Sequence, residues 1–448
     1  MLVFIFFLTS CCLLNFFHSI LQIHRFLSIF TFHQTIYFMR FTFLSVLSGI
    51  MLASLNSGCG GDQGKTGKIT KGIWRAVIFT QGQELPFMME IKDDSSGTQS
   101  VYLINGEERL NCGIITRAGD SIVFPMHIFD TKIIAYPEKE TLAGYWVKNY
   151  VADYIIPFRA EFGKTYRFTP NPVNPVNPDG KWETVFANES DTTHAIGVFE
   201  TEGAHLSGTF LLTSGDYRYL DGEVDGDSLR LSTFDGEHAY LFKARMSGDS
   251  MTGMYWSGKT WSQPWTAVKN NDAELPSMDS LTFLKPEYTK IDFSFPGLDG
   301  KPVTPDDEKF RGKVLILQVF GTWCPNCMDE TIFMNDWYRK NRQRGVEILG
   351  LAFERKDDFA YASGRIRQMK EKLGVEYDFV IAGRSGAGST AKALPMLEGM
   401  IAFPTAIIID RNGNIRRIHT GFSGPGTGIY YERYIEEFVP YMDKLLSE

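Results

Sequence analysis

The feature that most constrains the fold is a pair of cysteines between a predicted strand and a predicted helix. The apolar run Val314 to Phe320 is typical of a buried strand, and Trp323-Cys324-Pro325-Asn326-Cys327 and a helix-compatible segment follow it. Pro325 suits the first helical position, because the N–H that proline lacks would have no partner there. Such a junction places the Cys324 sulfur beside unpaired backbone N–H groups and the positive end of the helix dipole, which favours a thiolate.

Cys327 follows Cys324 by about one helical turn, so the two sulfurs are expected on the same helix face. From there Cys327 can attack a mixed disulfide on Cys324 and release the product. Half of a zinc site is one alternative, but zinc needs four ligands, and the chain contains no second Cys-x-x-Cys and no paired-histidine spacing. A structural disulfide is another, although so small a loop gains little entropy. The pattern favours redox catalysis without metal or cofactor, and it requires a Cys324 sulfur that a partner can reach.

The chain beyond the cysteines alternates helical and strand patterns, which is typical of a layered α/β domain. We predict a mixed central sheet flanked by helices, with a hairpin turn at 411–414. The predicted helices are 328–344, 359–373, 387–397 and 430–446, and the predicted strands after the cysteines are 346–352, 377–381, 406–409 and 415–420.

Several motifs of this region occur together in one family. Gly-Lys-Val at 312–314 opens the first strand, Gly-Val-Glu-Ile-Leu at 345–349 opens the second, Pro404-Thr405 precedes a third, and Asp-x-x-Gly at 410–413 forms the hairpin turn. With Trp-Cys-x-x-Cys, these motifs make residues 286–448 resemble the thioredoxin-fold domain of TlpA/ResA-like thiol-disulfide oxidoreductases. The resemblance implies that Cys324 and Cys327 are the redox-active pair.

The same resemblance implies that Pro404 belongs to a cis-proline loop facing the dithiol, and that Phe403 and Thr405 help to position the substrate. Cis peptide bonds are essentially confined to proline. A proline at a strand start also leaves backbone groups free for a substrate peptide to pair with in β fashion. The alternative is an ordinary trans proline at a strand edge.

Two further residues near the dithiol have two interpretations each. The resemblance implies that Glu354 is a carboxylate close to the cysteines, acting as a proton relay or raising the thiol pKa. The alternative is an exposed side chain in the charged run Glu354 to Asp358. Trp323 is expected to shield the dithiol and help to position the substrate, or to be an ordinary packing residue.

The first 58 residues are predicted to be an upstream segment and a secretory signal. Met39-Arg40 opens a pattern of one positive residue, the apolar run Phe41 to Leu55, and small residues before Cys59. The end of this pattern resembles the lipidation site of bacterial lipoproteins, which makes Cys59 the predicted lipidated residue. An alternative is a membrane anchor within residues 1–38, although polar residues interrupt that stretch.

The composition and the number of cysteines are consistent with an enzyme of the cell envelope. A net charge of -8 with no basic block argues against a nucleic-acid partner. Cys112 lies in a strand-like pattern without a second cysteine nearby, so we expect it to be buried and inert. The absence of spare disulfides suits an enzyme that acts on other proteins' cysteines in an oxidising compartment.

The middle of the chain is predicted to be a duplicated, antiparallel all-β region. Gly119-Asp120-Ser121 returns as Gly226-Asp227-Ser228, and Pro157-Phe158 returns as Pro264-Trp265, at an offset of about 107 residues. We place the first repeat at 68–169, the second at 178–275 and a linker at 276–285; sandwich and barrel both fit. Four tryptophans are expected in the cores rather than in a ligand groove, namely Trp146, Trp256, Trp261 and Trp265.

We therefore expect an extracytoplasmic thiol-disulfide oxidoreductase, anchored by lipid at Cys59, that reduces protein disulfides and is re-reduced by a membrane electron donor. A peroxidase is a weaker alternative, because the expected Pro-x-x-x-Thr-x-x-Cys pattern is absent around Cys324. A ligand-binding envelope lipoprotein with an ancillary redox domain is a third.

Overall fold

The first repeat forms a sheet of nine antiparallel strands in the computed structural model, which describes residues 68–173, 175–386, 388–399 and 401–448. Side chains alternate between buried and exposed along these strands, as in Ile155–Phe162, so one face of the sheet covers a core. The sheet order is β4-β3-β2-β1-β9-β8-β7-β6-β5. The strands are β1 Gly72–Thr80, β2 Gln83–Asp93, β3 Gln99–Asn105, β4 Glu108–Ile114, β5 Thr116–Ala118, β6 Ser121–Pro125, β7 Thr131–Glu138, β8 Thr141–Lys148 and β9 Ile155–Phe162.

The predicted second repeat forms another nine-stranded antiparallel sheet, of order β11-β10-β18-β17-β16-β15-β14-β12-β13. In addition β11 pairs with β12, which closes this sheet into a barrel. Its strands are β10 Gly180–Ala187, β11 Thr192–Glu202, β12 His205–Leu212, β13 Gly215–Asp216, β14 Leu220–Asp225, β15 Ser228–Phe234, β16 Ala239–Ser247, β17 Ser250–Ser257 and β18 Trp261–Lys269.

The first sheet has no pairing between its outer strands β4 and β5, and it shares its core with the second sheet. Phe234, Ala239 and Leu241 of the second repeat pack within the apolar core of the first. The indole N–H of Trp146 donates to the Gly236 carbonyl oxygen across this contact. The two sheets therefore pack against each other through buried side chains.

The tryptophans and Cys112 divide between core and surface. Trp146 and Trp265 are buried, as predicted. Trp256 is half-buried, whereas Trp261 is 45% exposed, so the core prediction is wrong for Trp261. Trp261 starts β18 and points away from the barrel core. Cys112 is a buried free thiol, and burial raises its pKa to about 12, which agrees with the inert role predicted for it.

The C-terminal region contains a five-stranded mixed sheet of order β24-β23-β22-β26-β27, in which β22, β23 and β24 are parallel and β26 and β27 are antiparallel to their neighbours. Its strands are β22 Val314–Phe320, β23 Val346–Glu354, β24 Asp378–Arg384, β26 Thr405–Ile409 and β27 Ile415–Thr420. The helices are α1 Pro325–Asn341, α2 Phe359–Leu373, α3 Ser389–Ala393 and α4 Ile429–Ser447.

The three long helices pack on one face of this sheet. Met328 of α1, Ile366 of α2 and Phe438 of α4 share a core with alternate residues of β22. The opposite face is covered by irregular chain around Ile291 to Phe310 and by the segment around α3. The predicted mixed sheet with flanking helices is present, and its long helices share one face because β22, β23 and β24 follow one another in space and both of their right-handed crossovers lie on the same side.

The predicted linker at 276–285 is part of the structure of the C-terminal region. Its strand β19 Thr282–Leu284 pairs with β25 Leu397–Gly399. Asp279 of the same segment forms ion pairs with Arg417 and His419 of β27. Two short strands, β20 Phe295–Pro296 and β21 Pro302–Val303, form a separate small hairpin before β22. Strand pairing and charge pairing between distant segments thus order a stretch whose composition is that of a linker.

The predicted signal segment and Cys59 lie outside the described residues. Between residues 68 and 448, none of the described helices has the length and apolar character needed to cross a membrane.

Candidate active site

The dithiol lies where β22 passes into α1. Cys324 is the N-cap residue of α1, with an extended backbone (φ -105°), and Pro325 occupies the first turn, as the sequence predicts. The Cys327 backbone N–H donates to the Cys324 sulfur at 3.3 Å. An N–H donor and a helix N-terminus at one sulfur form the arrangement that stabilises a thiolate nucleophile. The predicted strand–helix junction is confirmed.

Both cysteines of the pair are free thiols, and both are nearly covered. Cys327 is 1% exposed, and burial together with the neighbouring Cys324 sulfur raises its pKa well above the ordinary value. Cys324 is 6% exposed, and its sulfur lies 3.4 Å from the Phe403 carbonyl oxygen. Cys324 is thus the more exposed cysteine of the pair, as expected of the one that attacks a substrate disulfide.

The Phe403–Pro404 peptide bond is cis, as predicted, and it faces the dithiol. The Phe403 ring packs edge-on against Trp323, with ring centroids 5.3 Å apart. The Pro404 carbonyl accepts from the Gly421 N–H at 2.8 Å, and the Thr405 hydroxyl donates to the Ala402 carbonyl at 2.9 Å. These carbonyls of the loop are used within the chain, which differs from the expectation that they are free for a substrate. The buried Thr405 side chain supports the loop from inside.

Glu354 is buried, so the exposed alternative is wrong. It ends β23, where the strand points the side chain inward, and it accepts from the Thr322 N–H at 3.0 Å and the Thr322 hydroxyl at 2.9 Å. Burial raises the pKa of Glu354, although the two hydrogen bonds oppose the shift. Its hydrogen bonds therefore hold the loop just before Cys324.

Glu330 is a candidate that the sequence interpretation missed. It lies three residues after Cys327 on α1 and has no exposed surface. Burial raises its pKa to about 8, and its negative charge contributes to the raised pKa of Cys327. One carboxyl oxygen accepts from the Gln318 amide at 2.8 Å, while the other is buried without a hydrogen-bond partner among the described residues. The i, i+3 spacing from Cys327 on a helix is the signal that could have identified it.

Trp323 is anchored on both sides. Its indole N–H donates to the Phe353 carbonyl at 2.8 Å. The Arg355 guanidinium lies 3.7 Å above its ring centroid, in a cation–π contact. Trp323 is therefore held beside the dithiol by a backbone hydrogen bond and covered by an arginine. Within the described part of the chain, no group of three or more His, Cys, Asp and Glu side chains is placed to hold a metal ion.

Known proteins match the region that contains this site. The Redoxin family matches residues 287–431. The thiol-disulfide oxidoreductase ResA of Bacillus thuringiensis subsp. konkukian is 29% identical over 163 residues, which are 35% of this chain and 84% of the relative. The thiol:disulfide interchange protein DsbE of Vibrio cholerae is 29% identical over 184 residues, which are 40% of this chain and 85% of the relative.

Among solved structures, a putative protein disulfide isomerase from Bacteroides thetaiotaomicron shares 24% identity at a TM-score of 0.28, covering 37% of this chain and 93% of that one. The residues matched by the Redoxin family, 287–431, include the strand β22, the dithiol and the helix α1 of this chain. Residues 287–431 of this chain therefore carry a Redoxin domain, and the relatives that the chain resembles are the thiol-disulfide oxidoreductases ResA and DsbE.

Proposed function

We propose that the protein is an extracytoplasmic thiol-disulfide oxidoreductase that reduces protein disulfides through Cys324 and Cys327. The observation that supports this most directly is the sulfur of Cys324 at the N-terminus of α1, with the Cys327 N–H at 3.3 Å and the cis Phe403–Pro404 loop on its other side. We also propose that the chain is a thioredoxin fold preceded by two copies of one β domain, at 68–169 and 178–275.

The reaction proceeds in two exchanges. The Cys324 thiolate attacks one sulfur of the substrate disulfide, the substrate S–S bond breaks, and one substrate thiolate leaves. The Cys327 thiol then gives its proton to the Glu330 carboxylate and attacks the Cys324 sulfur of the mixed disulfide. The second substrate thiolate leaves and a Cys324–Cys327 disulfide forms, so two electrons pass from the enzyme to the substrate. Phe403 and Trp323 border the sulfur and orient the incoming disulfide.

Glu330 has the properties of a proton acceptor for the resolving cysteine. A carboxyl with a pKa of about 8 is partly ionised at neutral pH and takes up a proton readily. It acts on Cys327 electrostatically and lies on the same helix. In this proposal Glu330 takes the role that the sequence interpretation assigned to Glu354, and Glu354 positions the loop at Thr322.

We also propose that the protein is attached to a membrane and that a membrane donor reduces its disulfide. The signal pattern before Cys59 suggests export and lipid attachment at that residue, with the redox domain facing the periplasm. After each cycle a membrane electron donor reduces the Cys324–Cys327 disulfide. A Cys59→Ser variant should leave the membrane fraction for the soluble fraction, and retention at the membrane would contradict the lipid anchor.

Trapping tests the activity. A Cys327→Ser variant should accumulate mixed disulfides at Cys324, because the resolving thiol is missing, and their identification by mass spectrometry names the clients. The double variant Cys324→Ser, Cys327→Ser is the matched control. Absence of adducts in a protein whose Cys324 still reacts with iodoacetamide would contradict protein substrates. The reduction potential of the Cys324–Cys327 pair, measured against glutathione, tests the direction of electron transfer, since a value of about -120 mV is that of an oxidant.

A further inference from the structure

A hairpin loop of the second β sheet lies on the dithiol end of α1. We name residues Ser214–Tyr219 the cover loop. The Asp216 carbonyl accepts from the Asn326 side-chain amide at 3.2 Å. The Arg218 guanidinium donates to the Pro325 carbonyl at 3.1 Å and forms an ion pair with Asp329. The loop thus binds the two residues between the cysteines and a third residue on the next turn.

The cover loop also contacts the chain that follows β27. The Asp216 carboxylate accepts from the Gly424 N–H at 2.8 Å. A Cβ atom placed on Gly426 would lie 2.9 Å from the carbonyl carbon of Arg218 and 3.0 Å from the Tyr219 nitrogen. The two backbones are therefore so close that only glycine fits at position 426, although its φ is not in the left-handed region.

The third contact covers Trp323. Arg355, which lies over this ring, is 3.9 Å from the Glu237 carboxylate of the second β sheet. Glu237 has a fully buried side chain and also pairs with Lys148 of the first sheet at 2.8 Å. The arginine that covers the tryptophan beside Cys324 thus faces a carboxylate of the second β sheet, and Lys148 of the first sheet pairs with the same carboxylate.

The contact between the cover loop and helix α1 is a buried, charged interface. The Arg218 side chain is 6% exposed, and its two carboxylate partners, Asp329 and Glu108, are 9% and 10% exposed. Arg218 also has a left-handed backbone (φ 56°), which is uncommon for a residue other than glycine. Within the described residues, no hydrogen bond or ion pair joins the cover loop to Phe403, Pro404 or Thr405. The cover loop thus contacts the α1 side of the dithiol and makes no such bond on the Pro404 side.

We propose that the cover loop determines the substrate class: a disulfide in a small molecule or an extended peptide reaches Cys324 from the Pro404 side, and a disulfide on a folded protein is excluded while the loop is in place. A specific folded partner buries roughly 1,000 Å² or more around its contact. Here Pro325, Asn326 and the loop at Gly424 are already covered by the chain itself. The inference rests on the proposed disulfide exchange at Cys324.

Two probes with the same reacting disulfide test the proposal on the reduced full chain. One is glutathione disulfide, and the other is a folded carrier protein whose single surface cysteine is capped with glutathione. In both reactions two electrons pass from the dithiol to the probe, two thiols are released and the Cys324–Cys327 disulfide forms. We expect the wild type to reduce the carrier at least about tenfold more slowly than the small probe, as for a site that is open to a folded partner about a tenth of the time.

Two variants remove the cover loop from α1 by different routes. Arg218→Ala deletes the ion pairs, and Gly426→Ala places a methyl group against the loop backbone from the redox side. Gly364→Ala is the matched control, because a Cβ on this exposed residue of α2 meets nothing within 4 Å. We expect both variants to raise the carrier rate about tenfold, towards the small-probe rate, while the small-probe rate and all rates of the control stay at wild-type values.

Circular dichroism shows which variants fold, and either folded variant is sufficient for the test. Equal wild-type rates for the two probes, or a folded Gly426→Ala protein that keeps the wild-type ratio, would overturn the cover-loop proposal while leaving the oxidoreductase function intact. Failure of the wild type to reduce even glutathione disulfide would instead overturn the proposed function, and this inference with it.

Discussion

Two adjacent buried carboxyl groups lie on different faces of helix α1 and have different surroundings. Asp329 lies on the face that meets the β region, and Glu330 lies on the face that meets the redox sheet. Both side chains are buried, and burial raises the pKa of Asp329 to about 7 and that of Glu330 to about 8. One position along the chain thus separates a residue of the interface from a residue of the dithiol site.

Their partners explain the difference. Asp329 shares the Arg218 guanidinium with Glu108, so its charge is compensated by a residue of the cover loop. Glu330 is bonded to the neutral amide of Gln318, and no positive group contributes to its pKa. A paired buried carboxylate holds two domains together, whereas an unpaired one can exchange a proton. The following four experiments test this contrast, beginning with the largest expected effect.

Removal of Arg218 should be the most damaging change at the interface. Arg218→Ala leaves Asp329 and Glu108 buried without a positive partner, so we expect the free energy of unfolding to fall by roughly 3–5 kcal/mol. Urea denaturation followed by tryptophan fluorescence measures it. The control is Arg109→Ala in the corresponding hairpin of the first sheet, where the exposed side chain donates only to nearby carbonyls and the expected change is within about 0.5 kcal/mol. Equal losses would remove the special role of Arg218.

Removal of the unpaired carboxyl should slow the resolving step. In Glu330→Gln we expect release of a preformed Cys324–glutathione mixed disulfide to be about a hundredfold slower, because Cys327 loses its proton acceptor. In the wild type the rate should rise as pH increases through about 8, since Glu330 must be ionised to accept the proton. Stopped-flow measurements between pH 6 and about pH 9.5 test both expectations. An unchanged pH profile in Glu330→Gln would show that another group accepts the proton.

The same carboxyl should make stability depend on pH. The folded-state pKa of Glu330, about 8, is above its unfolded value, so the folded chain binds the extra proton and its stability is lost as pH rises between these values. We expect a contribution of up to roughly 1.4 kcal/mol per pH unit between about pH 5 and 8, which is absent in Glu330→Gln. Urea titrations at several pH values measure it. Glu436→Gln, at an exposed position of α4, should keep the wild-type slope.

The smallest effect is expected from Asp329→Asn. The amide keeps a hydrogen-bond acceptor for Arg218, and Glu108 still compensates the guanidinium charge, so we expect a loss of only about 1 kcal/mol. Asp336→Asn on the exposed side of α1 is the control, with an expected change of about 0–1 kcal/mol. A loss as large as that of Arg218→Ala would mean that the Asp329 charge, rather than the arginine, holds the interface.

Local patterns predicted most of the secondary structure and the centre of the site. The cis Phe403–Pro404 bond, which the family resemblance implied, is confirmed. The strand β22, the proline in the first turn of α1 and the antiparallel β region, which local patterns predicted, are confirmed as well. Each depends on neighbours within a few residues or on a regular alternation, which a sequence displays directly. Each half of the β region forms a nine-stranded antiparallel sheet, and the repeat seen at a constant offset stays a prediction.

Predictions that depended on distant neighbours were less successful. For Glu354 the sequence left a carboxylate near the cysteines and an exposed side chain as alternatives, and only the structure shows that the end of β23 carries it inward to Thr322. The composition of 276–285 indicated a linker, but strand β19 pairs with residues 397–399, more than a hundred positions further along the chain. Burial of a polar side chain depends on the partner that satisfies it, and no local pattern names that partner.

The sequence by itself determined the chemistry: two cysteines one turn apart at the start of a helix, behind a buried strand and facing a proline loop. Only the tertiary structure decided how that chemistry is covered, because the contact between Arg218 and Asp329 joins residues 111 positions apart and depends on how two separately formed sheets pack against one helix. Backbone preferences act over one or two turns, whereas a buried ion pair is specified only once both of its partners have been placed by the cores beneath them.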